Sequence, residues 1–433
     1  MSVPLDRLYN FLSNICNRND LLIYRFFPHG SKKLEHLVTL TLNTHSWFHN
    51  ITSHNMIFHD QEPLQYDFYN NEDFLTNLQK RKRLWRAESE SALRCHADVF
   101  YKMLTPTHIR SKIHFPINAN DQVLLCHSEK NSSELERYEQ NNFIGVYYWS
   151  HALIARDWFR HARLDPVLVV NFEQITKDFL IYNRAWASTR EYRLTFIEIL
   201  LNQNLHTVCK VTFNDTDSGN HYADHKFTNV KLAIARKDIE NYIGPTDASA
   251  SASADYNNTD YATTAIEVVL ETLFDDSRNH LTEKSLRPIA CGRPFILAAT
   301  PNSLQYLRDY GFETFHGLID ESYDTISDPR ERLCAIANEM QRINLLSPDS
   351  KQKLWQQLYT ISTRNKQLFF SDQWHNDVVS EFKKNFDSSI QRVTATNKYW
   401  NKIKRLVPDY HDDLICDADE LEQFNDWLSS RQS

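Results

Sequence analysis

The sequence predicts an α/β protein that is built on parallel sheets and divided into two domains. The chain has 433 residues, which corresponds to two or three domains of ordinary size, and 41% of them are hydrophobic, enough for two packed cores. Short apolar segments of strand length alternate with segments of helical periodicity. This alternation runs through the first half of the chain and begins again at Lys177.

In the first half, four apolar segments have the length and composition of strands. These are residues 21–27, 56–59, 123–126 and 143–148. Residues 132–140 and 150–162 have helical periodicity. Strands that are separated by helices pair in parallel, so the sequence predicts one parallel sheet here.

The second half repeats the alternation and ends in helices. The predicted strands are residues 179–183, 207–213, 265–270 and 294–299. The predicted helices are residues 188–201, 284–290 and 303–310, followed after Asp328 by 330–343, 350–368 and 399–405. We therefore expect a first domain at 1–170, a second at 171–390, and a C-terminal helical segment at 391–433.

Composition excludes several classes of protein. Only seven glycines occur, and none forms the glycine-rich loop of a dinucleotide-binding or P-loop protein. The seven cysteines lack metal-ligand spacing, which predicts reduced thiols and no structural zinc. The net charge of −8 argues against binding polyanions through the field of the whole protein. With apolar runs of strand length only and no signal segment, we expect a soluble, cytoplasmic protein.

The most informative segment is residues 268–295, where an apolar strand, an acidic loop and a helix start follow one another. The helix opens on Thr282, Glu283 and Lys284. A helix start presents unpaired backbone N–H groups, and a lysine in its first turn adds a full positive charge. This arrangement predicts a phosphate site, with Glu271 at the strand end accepting hydrogen bonds from ribose or sugar hydroxyls.

These residues resemble the donor-binding signature of nucleotide-sugar glycosyltransferases, most closely the α1,3-fucosyltransferase-like superfamily. The pattern of Phe-Glu-Asn, an acidic loop, Thr-Glu-Lys and a Pro before the next strand is matched in order by Glu271, residues 282–284 and Pro294. Thr272 replaces the Asn of the pattern, and the loop is longer. The resemblance covers residues 177–315.

The resemblance implies an architecture and a reaction. It implies two Rossmann-like domains that face a cleft (the GT-B type), with the C-terminal helix packing back on the first domain. The nucleoside-diphosphate sugar would bind the second domain, without a cofactor or a metal. In this pattern the strand that ends at Asn183 is followed by an arginine that contacts the diphosphate, which makes Asn183, Arg184 and Arg190 donor-binding candidates. Arg190 and Arg193 are alternatively a solvated helix face.

An inverting transfer needs a base that takes the proton of the acceptor hydroxyl. Ligands bind at the carboxyl ends of parallel strands, and two predicted strands of the first half end in polar residues there. Asp60 and Glu62 follow the second strand, and His127 and Glu129 follow the third. The alternative for Asp60 and Glu62 is a helix cap and a surface ion pair.

The acceptor is either a glycan or a hydroxymethylated DNA base. The basic run at residues 80–83 and the aromatic residues 147–149 favour DNA, although a solvated helix face and a core cluster are the alternative interpretations. The polar segment 244–264 predicts a mobile insertion. The acidic cluster at residues 320–324 suggests a metal site only weakly, and we expect none. The competing hypothesis is a non-catalytic nucleotide- or glycan-binding protein of the same fold.

Overall fold

The computed structural model describes the backbone of residues 21–26, 54–59, 123–130, 132, 144–243 and 256–406. Side chains are described for residues 128–130, 132, 146–243 and 256–391, except at positions 167 and 390. Within these ranges the protein is mixed α/β, with two parallel four-stranded sheets.

The first sheet is formed by four parallel strands in chain order, β1-β2-β3-β4. The strands are β1 Leu21–Phe26, β2 His54–His59, β3 Val123–His127 and β4 Ile144–Tyr147. All four lie where the sequence predicts strands. The predicted helix at 132–140 lies outside the described residues apart from Ser132.

The second sheet has the strand order β10-β9-β5-β6. Its strands are β5 Lys177–Asn183, β6 Cys209–Phe213, β9 Thr264–Leu270 and β10 Phe295–Ala298, and the short pair β7 Thr216–Asp217 and β8 Asn220–His221 forms a separate hairpin. Every residue of β9 is buried, which explains its nearly continuous apolar sequence. In the register of the two central strands, Ile181 of β5 pairs with Val268 of β9.

The described ranges contain eight α-helices. They are α1 Ser150–Trp158, α2 Tyr192–Asn202, α3 Asn258–Thr263, α4 Glu283–Cys291, α5 Ser303–Asp309, α6 Pro329–Asn344, α7 Pro348–Phe369 and α8 Asp372–Leu406. Nearly every residue of α2 is buried, and this helix packs against α6. Helix α4 packs against α7 and β9. No helix of the described residues is both long enough and apolar enough to cross a membrane.

The described residues divide into two compact units at positions that differ from the predicted domain limits. One unit holds His151–Val379, and the other holds the described residues up to Ser150 together with α8 from Ser380 onward. The prediction placed these limits at 170 and 390. In the second of these units, Asn385 Nδ2 donates to the Tyr147 carbonyl at 3.0 Å, which attaches α8 to the end of β4.

The prediction of a mobile polar insertion up to residue 264 is wrong for its last part. Residues Asn258–Thr263 form α3, and the Asn257 side chain caps this helix by accepting from the N–H of Asp260. Tyr261 and Asp260 are buried. Burial of two polar side chains in a short helix has no signature in composition, which is why the segment reads as a loop. Residues 244–255 lie outside the described part of the chain.

Gly292 ends α4 in the left-handed conformation, with φ at +67°. A Cβ at this position would lie 3.2 Å from Cδ of Lys366, whereas a Cβ at Gly219, which also has positive φ, would have no atom within 4 Å. We expect Gly292→Ala to lower the free energy of unfolding by about 2 kcal/mol, and Gly219→Ala by about 1 kcal/mol, because only the first adds a tight contact to the backbone strain. Urea unfolding of both variants checks this. Equal losses would contradict the contribution of the Lys366 contact.

Candidate functional site

The second sheet reverses its strand order between β5 and β9. The chain runs from β5 outward to β6, and then returns to place β9 on the opposite side of β5. In open parallel sheets such a reversal leaves a crevice at the carboxyl ends of the two strands, and ligands bind there. Here those ends are Asn183 on β5 and Leu270, followed by Glu271, on β9. Of the donor-binding candidates, Asn183 and Glu271 therefore lie at the carboxyl ends of these two neighbouring strands.

Glu271 caps the start of α4 from inside the protein. Its fully buried carboxylate accepts from Thr282 N at 2.9 Å and Oγ1 at 2.8 Å, and from Ser285 N at 3.2 Å and Oγ at 2.5 Å. It also accepts from Thr272 N at 3.0 Å. Thr282 Oγ1 in turn accepts from Lys284 N at 3.3 Å. These contacts differ from the expected role, since the carboxylate stands at the helix start in the place expected for phosphate.

Lys284 is held by the neighbouring carboxylate. Its Nζ lies 2.8 Å from Oε1 of Glu283, and 3.3 and 3.4 Å from the hydroxyl oxygens of Thr282 and Thr272. The lysine side chain is 22% exposed and that of Glu283 is 7% exposed. An anion that binds Lys284 must therefore take the ammonium from an existing ion pair.

Glu283 also lies close to His151, a residue at the start of the predicted helix 150–162. Nδ1 of His151, in the first turn of α1, lies 3.3 Å from Oε2 of Glu283. Burial alone would raise the pKa of the Glu283 carboxyl, but Lys284 and His151 outweigh burial and hold that pKa well below its ordinary value. The His151 ring also contacts the ring of His280 edge to face, with centroids 5.1 Å apart. His280 lies in no motif, and the sequence marks His151 only by its position at the start of the predicted helix 150–162, so no local pattern indicated that the two rings meet.

Asn183 is a buried amide without a described partner. Its side chain is fully buried, and neither Nδ2 nor Oδ1 makes a hydrogen bond among the described residues. Its backbone N–H donates to Oγ1 of Thr212 at 3.0 Å. Buried polar atoms are nearly always paired, so an unpaired carboxamide at the end of β5 points to a polar ligand. Asn183 remains a donor-binding prediction.

The three arginines after β5 have different environments. Arg184 is exposed, and Arg190 is partly exposed at the end of the short 3-10 helix Ser188–Arg190. Arg193 is buried and donates to the carbonyl oxygens of Ala185 at 2.6 Å, Leu270 at 2.6 Å and Glu271 at 3.0 Å. The solvated-face interpretation is therefore wrong for Arg193, which ties the ends of β5 and β9 together.

Tyr192 supports the same strand end. Its hydroxyl donates to the Glu271 carbonyl at 2.6 Å, and its ring stacks on Phe274 with centroids 4.2 Å apart. Burial raises the pKa of the Tyr192 phenol to about 12, against the opposing positive charges of Arg193 and Arg190.

Of the candidate bases, His127 and Glu129 belong to the other unit. Asp60 and Glu62 lie outside the described residues, as do residues 80–83. His127 is the last residue of β3, and its side chain is not described. Glu129 is buried, and its Oε2 accepts from Ser132 Oγ at 3.5 Å. Of the aromatic cluster, Tyr148 and Trp149 are buried, which favours the core interpretation for both.

The acidic cluster at residues 320–324 has structural partners. Asp320 accepts from the N–H of Ser322, and Glu321 accepts from Thr314 Oγ1 and the N–H of Phe315. Across the described residues, no group of three or more His, Cys, Asp or Glu side chains is arranged to hold a metal ion.

Asp324 of this cluster predicts a pH dependence. Its oxygens lie 3.1 and 3.2 Å from the N–H of Leu304, and burial raises the pKa of the carboxyl to about 6. A raised pKa means that the folded protein binds this proton more tightly than the unfolded chain does. The resulting contribution to the free energy of unfolding is fully present below the unfolded pKa of about 3.9, and it is lost as the pH rises through 6.

As the pH rises from 4 to 7, we therefore expect the free energy of unfolding of Asp324→Asn to increase by about 2 kcal/mol relative to that of the wild type. The asparagine oxygen still accepts from Leu304 without ionising. Urea unfolding at several pH values measures this gain, and Asp349→Asn, at an exposed first-turn position of α7, is the matched control. A constant difference between wild type and Asp324→Asn over this range would contradict the prediction.

In comparisons with known proteins, no family model and no curated protein matches the chain.

Proposed function

We propose that the chain is a glycosyltransferase that moves a sugar from a nucleoside-diphosphate sugar to an acceptor hydroxyl. In this proposal the chain has two Rossmann-like domains of the GT-B type, and the donor binds the second sheet. The transfer is inverting and needs no metal. The observation that carries the proposal is the reversal of strand order between β5 and β9, because open parallel sheets bind ligands at the carboxyl ends of the strands on either side of such a reversal. Asn183 ends one of these strands, and Glu271, which caps the start of α4, follows the other.

The charges around this crevice suit a diphosphate leaving group. Lys284 is partly exposed at the start of α4, and Arg184 and Arg190 follow β5. Negative charge develops on the leaving nucleoside diphosphate, and fixed cations stabilise it most where water is excluded. Guanidinium groups bind phosphate oxygens in pairs, so either arginine complements the single charge of Lys284.

The acceptor side supplies the base. Glu129 follows β3, and its buried carboxylate is the candidate whose side-chain surroundings are described. Asp60, Glu62 and His127 are its alternatives. Replacing each with its amide, or His127 with Gln, identifies the base as the variant that binds donor normally but no longer transfers.

The acceptor is a glycan or a hydroxymethylated base in DNA, and the two have different binding signatures. Contacts to phosphates release counterions, so DNA binding weakens steeply with salt. A DNA acceptor predicts salt-sensitive binding of duplex DNA, and the target base must leave the stack to reach the site. Absence of such binding favours the glycan.

One observation favours the alternative of a non-catalytic nucleotide- or glycan-binding protein. Glu271 and Thr282 occupy most of the N–H groups at the α4 start, and Glu283 already pairs with Lys284. Binding without turnover in the presence of acceptor supports this alternative over the enzyme.

A thermal-shift panel tests the donor site directly. A ligand that binds only the folded state stabilises it by about 2.7 kcal/mol at a hundred times its Kd, so the correct nucleotide raises the melting temperature. We expect one of the UDP, GDP, ADP, CMP and dTDP sugars to stabilise the wild type, and Lys284→Met to lose most of that shift. Lys353→Met, which removes an exposed lysine of α7, is the control. If no nucleotide sugar shifts the wild type, the proposed donor site fails.

A further inference from the structure

A single carboxylate connects the candidate phosphate ligand to the interior of the protein. Glu283 places Oε1 at 2.8 Å from Nζ of Lys284 and Oε2 at 3.3 Å from Nδ1 of His151. The exposed fraction of the side chains falls along this row, from 22% at Lys284 through 7% at Glu283 to 2% at His151. One end of the row is thus open to solvent, and the other end is buried.

The partly exposed end is the one an anion can reach. A phosphate that draws the Lys284 ammonium toward itself takes it away from Glu283. The carboxylate cannot follow into water, because it is nearly buried in the first turn of α4. A buried carboxylate that loses its cation is costly unless another donor serves it. The affinity for the anion therefore depends on what else contacts Glu283.

His151 already lies close enough to Glu283 to replace Lys284 as its partner. Its Nδ1 faces the oxygen of Glu283 that Lys284 does not use. The edge-to-face contact with His280 restricts the plane of the ring. The imidazole can thus strengthen its interaction with Glu283 without a large rearrangement.

We propose that the site binds a diphosphate by exchange of partners: the anion takes Lys284, and His151 takes over Glu283. His151 is then a positioning residue that sets the affinity for the anion without touching it. This inference rests on the proposed function, since it takes Lys284 as the ligand of the diphosphate.

The test is a double-mutant cycle on the full chain, with inorganic pyrophosphate titrated by calorimetry. His151→Phe keeps a ring against His280 but has no nitrogen, and we expect it to weaken pyrophosphate binding about tenfold. Glu283→Gln frees Lys284, so it should bind pyrophosphate several times more tightly than the wild type. In the Glu283→Gln background, His151→Phe should not change the affinity for pyrophosphate further, because residue 283 no longer carries a buried charge that His151 could stabilise.

A conservative variant separates this role from a general structural one. The side-chain amide nitrogen of Asn lies close to the position of histidine Nδ1, so His151→Asn should recover most of the affinity that His151→Phe loses. Should His151→Phe not fold, the cycle runs with His151→Gln, whose amide nitrogen does not match Nδ1, against His151→Asn.

The outcomes distinguish the two proposals. If wild type and Lys284→Met bind pyrophosphate equally, or neither binds it, the donor site fails and the exchange fails with it. If Lys284→Met loses binding but His151→Phe keeps wild-type affinity, the donor site stands and the exchange is overturned. The exchange is also overturned if His151→Phe weakens binding equally with and without Glu283.

Discussion

Replacing Arg287 with methionine is expected to lower the free energy of unfolding by about 3–5 kcal/mol, because it leaves a buried carboxylate without its cation. Nη2 of Arg287 lies 2.5 Å from Oε1 of Glu267, and the two side chains are 5% and 1% exposed. Glu267 keeps one further partner, the Tyr261 hydroxyl at 2.6 Å. Burial would lower the pKa of the Arg287 guanidinium, but Glu267 outweighs burial and raises it, as expected for a tight pair.

The companion variant decides whether the loss comes from the stranded charge. The double variant Glu267→Gln with Arg287→Met removes both charges and keeps a hydrogen-bond acceptor for Tyr261. We expect it to recover most of the loss, to within about 1–2 kcal/mol of the wild type. Urea unfolding of the two single variants and the double variant measures the coupling energy. Additive losses would contradict the interpretation.

Arg364→Met is the matched control for the same type of ion pair at the surface. Arg364 makes two contacts of 2.6 Å with Glu313, and both side chains are about half exposed. Exposed pairs contribute little, because water solvates both partners well when the pair is broken. Arg364→Met should therefore change the unfolding midpoint far less than Arg287→Met, although its contact distances are similar.

Replacing Glu271 with alanine is expected to cost a similar amount, about 3–5 kcal/mol, and also to impair nucleotide binding. The change leaves the N–H groups of Thr282 and Ser285 and two hydroxyls without their acceptor in a buried place. The first turn of α4 carries Lys284, so a loosened helix start displaces the candidate phosphate ligand.

Urea unfolding and the nucleotide thermal shift are the two measurements for Glu271→Ala. Glu331→Ala removes an exposed glutamate from the first turn of α6 and is the control for losing a first-turn acid. Glu271→Gln should lower the free energy of unfolding by an intermediate amount, since one oxygen remains an acceptor while the new NH₂ group faces other hydrogen-bond donors. Full stability of Glu271→Ala would show that water or another group satisfies the helix start.

The two largest effects have a common structural origin. Glu267 and Glu271 are four residues apart on either side of the β9 end, and even spacing places strand residues on one face of a sheet. Glu271 holds the first turn of α4 through Thr282 and Ser285, and Glu267 holds the next turn through Arg287. The helix that bears Lys284 is thus fixed to β9 by two buried carboxylates.

Strand positions were predictable because local apolar composition carries them. Each predicted strand of the second sheet, such as residues 265–270, overlaps an observed one, Thr264–Leu270 for that example. The helix start at Thr282 was also predictable, because a threonine followed by charged residues is a local capping pattern. The end of the insertion before β9 was not, since α3 depends on burying Tyr261 against distant residues such as Arg293.

By itself, the sequence determined the α/β alternation, the parallel strands, and the segment in which Glu271, Thr282 and Lys284 lie together, because these follow from periodicity and neighbouring residues. Only the tertiary structure decided what the side chains do. In that structure Glu271 accepts hydrogen bonds from the helix start, Arg193 donates to backbone carbonyls, and His151 contacts Glu283. Those partners are distant in sequence, and a hydrogen bond or ion pair depends on distance and burial in space, which no local pattern specifies.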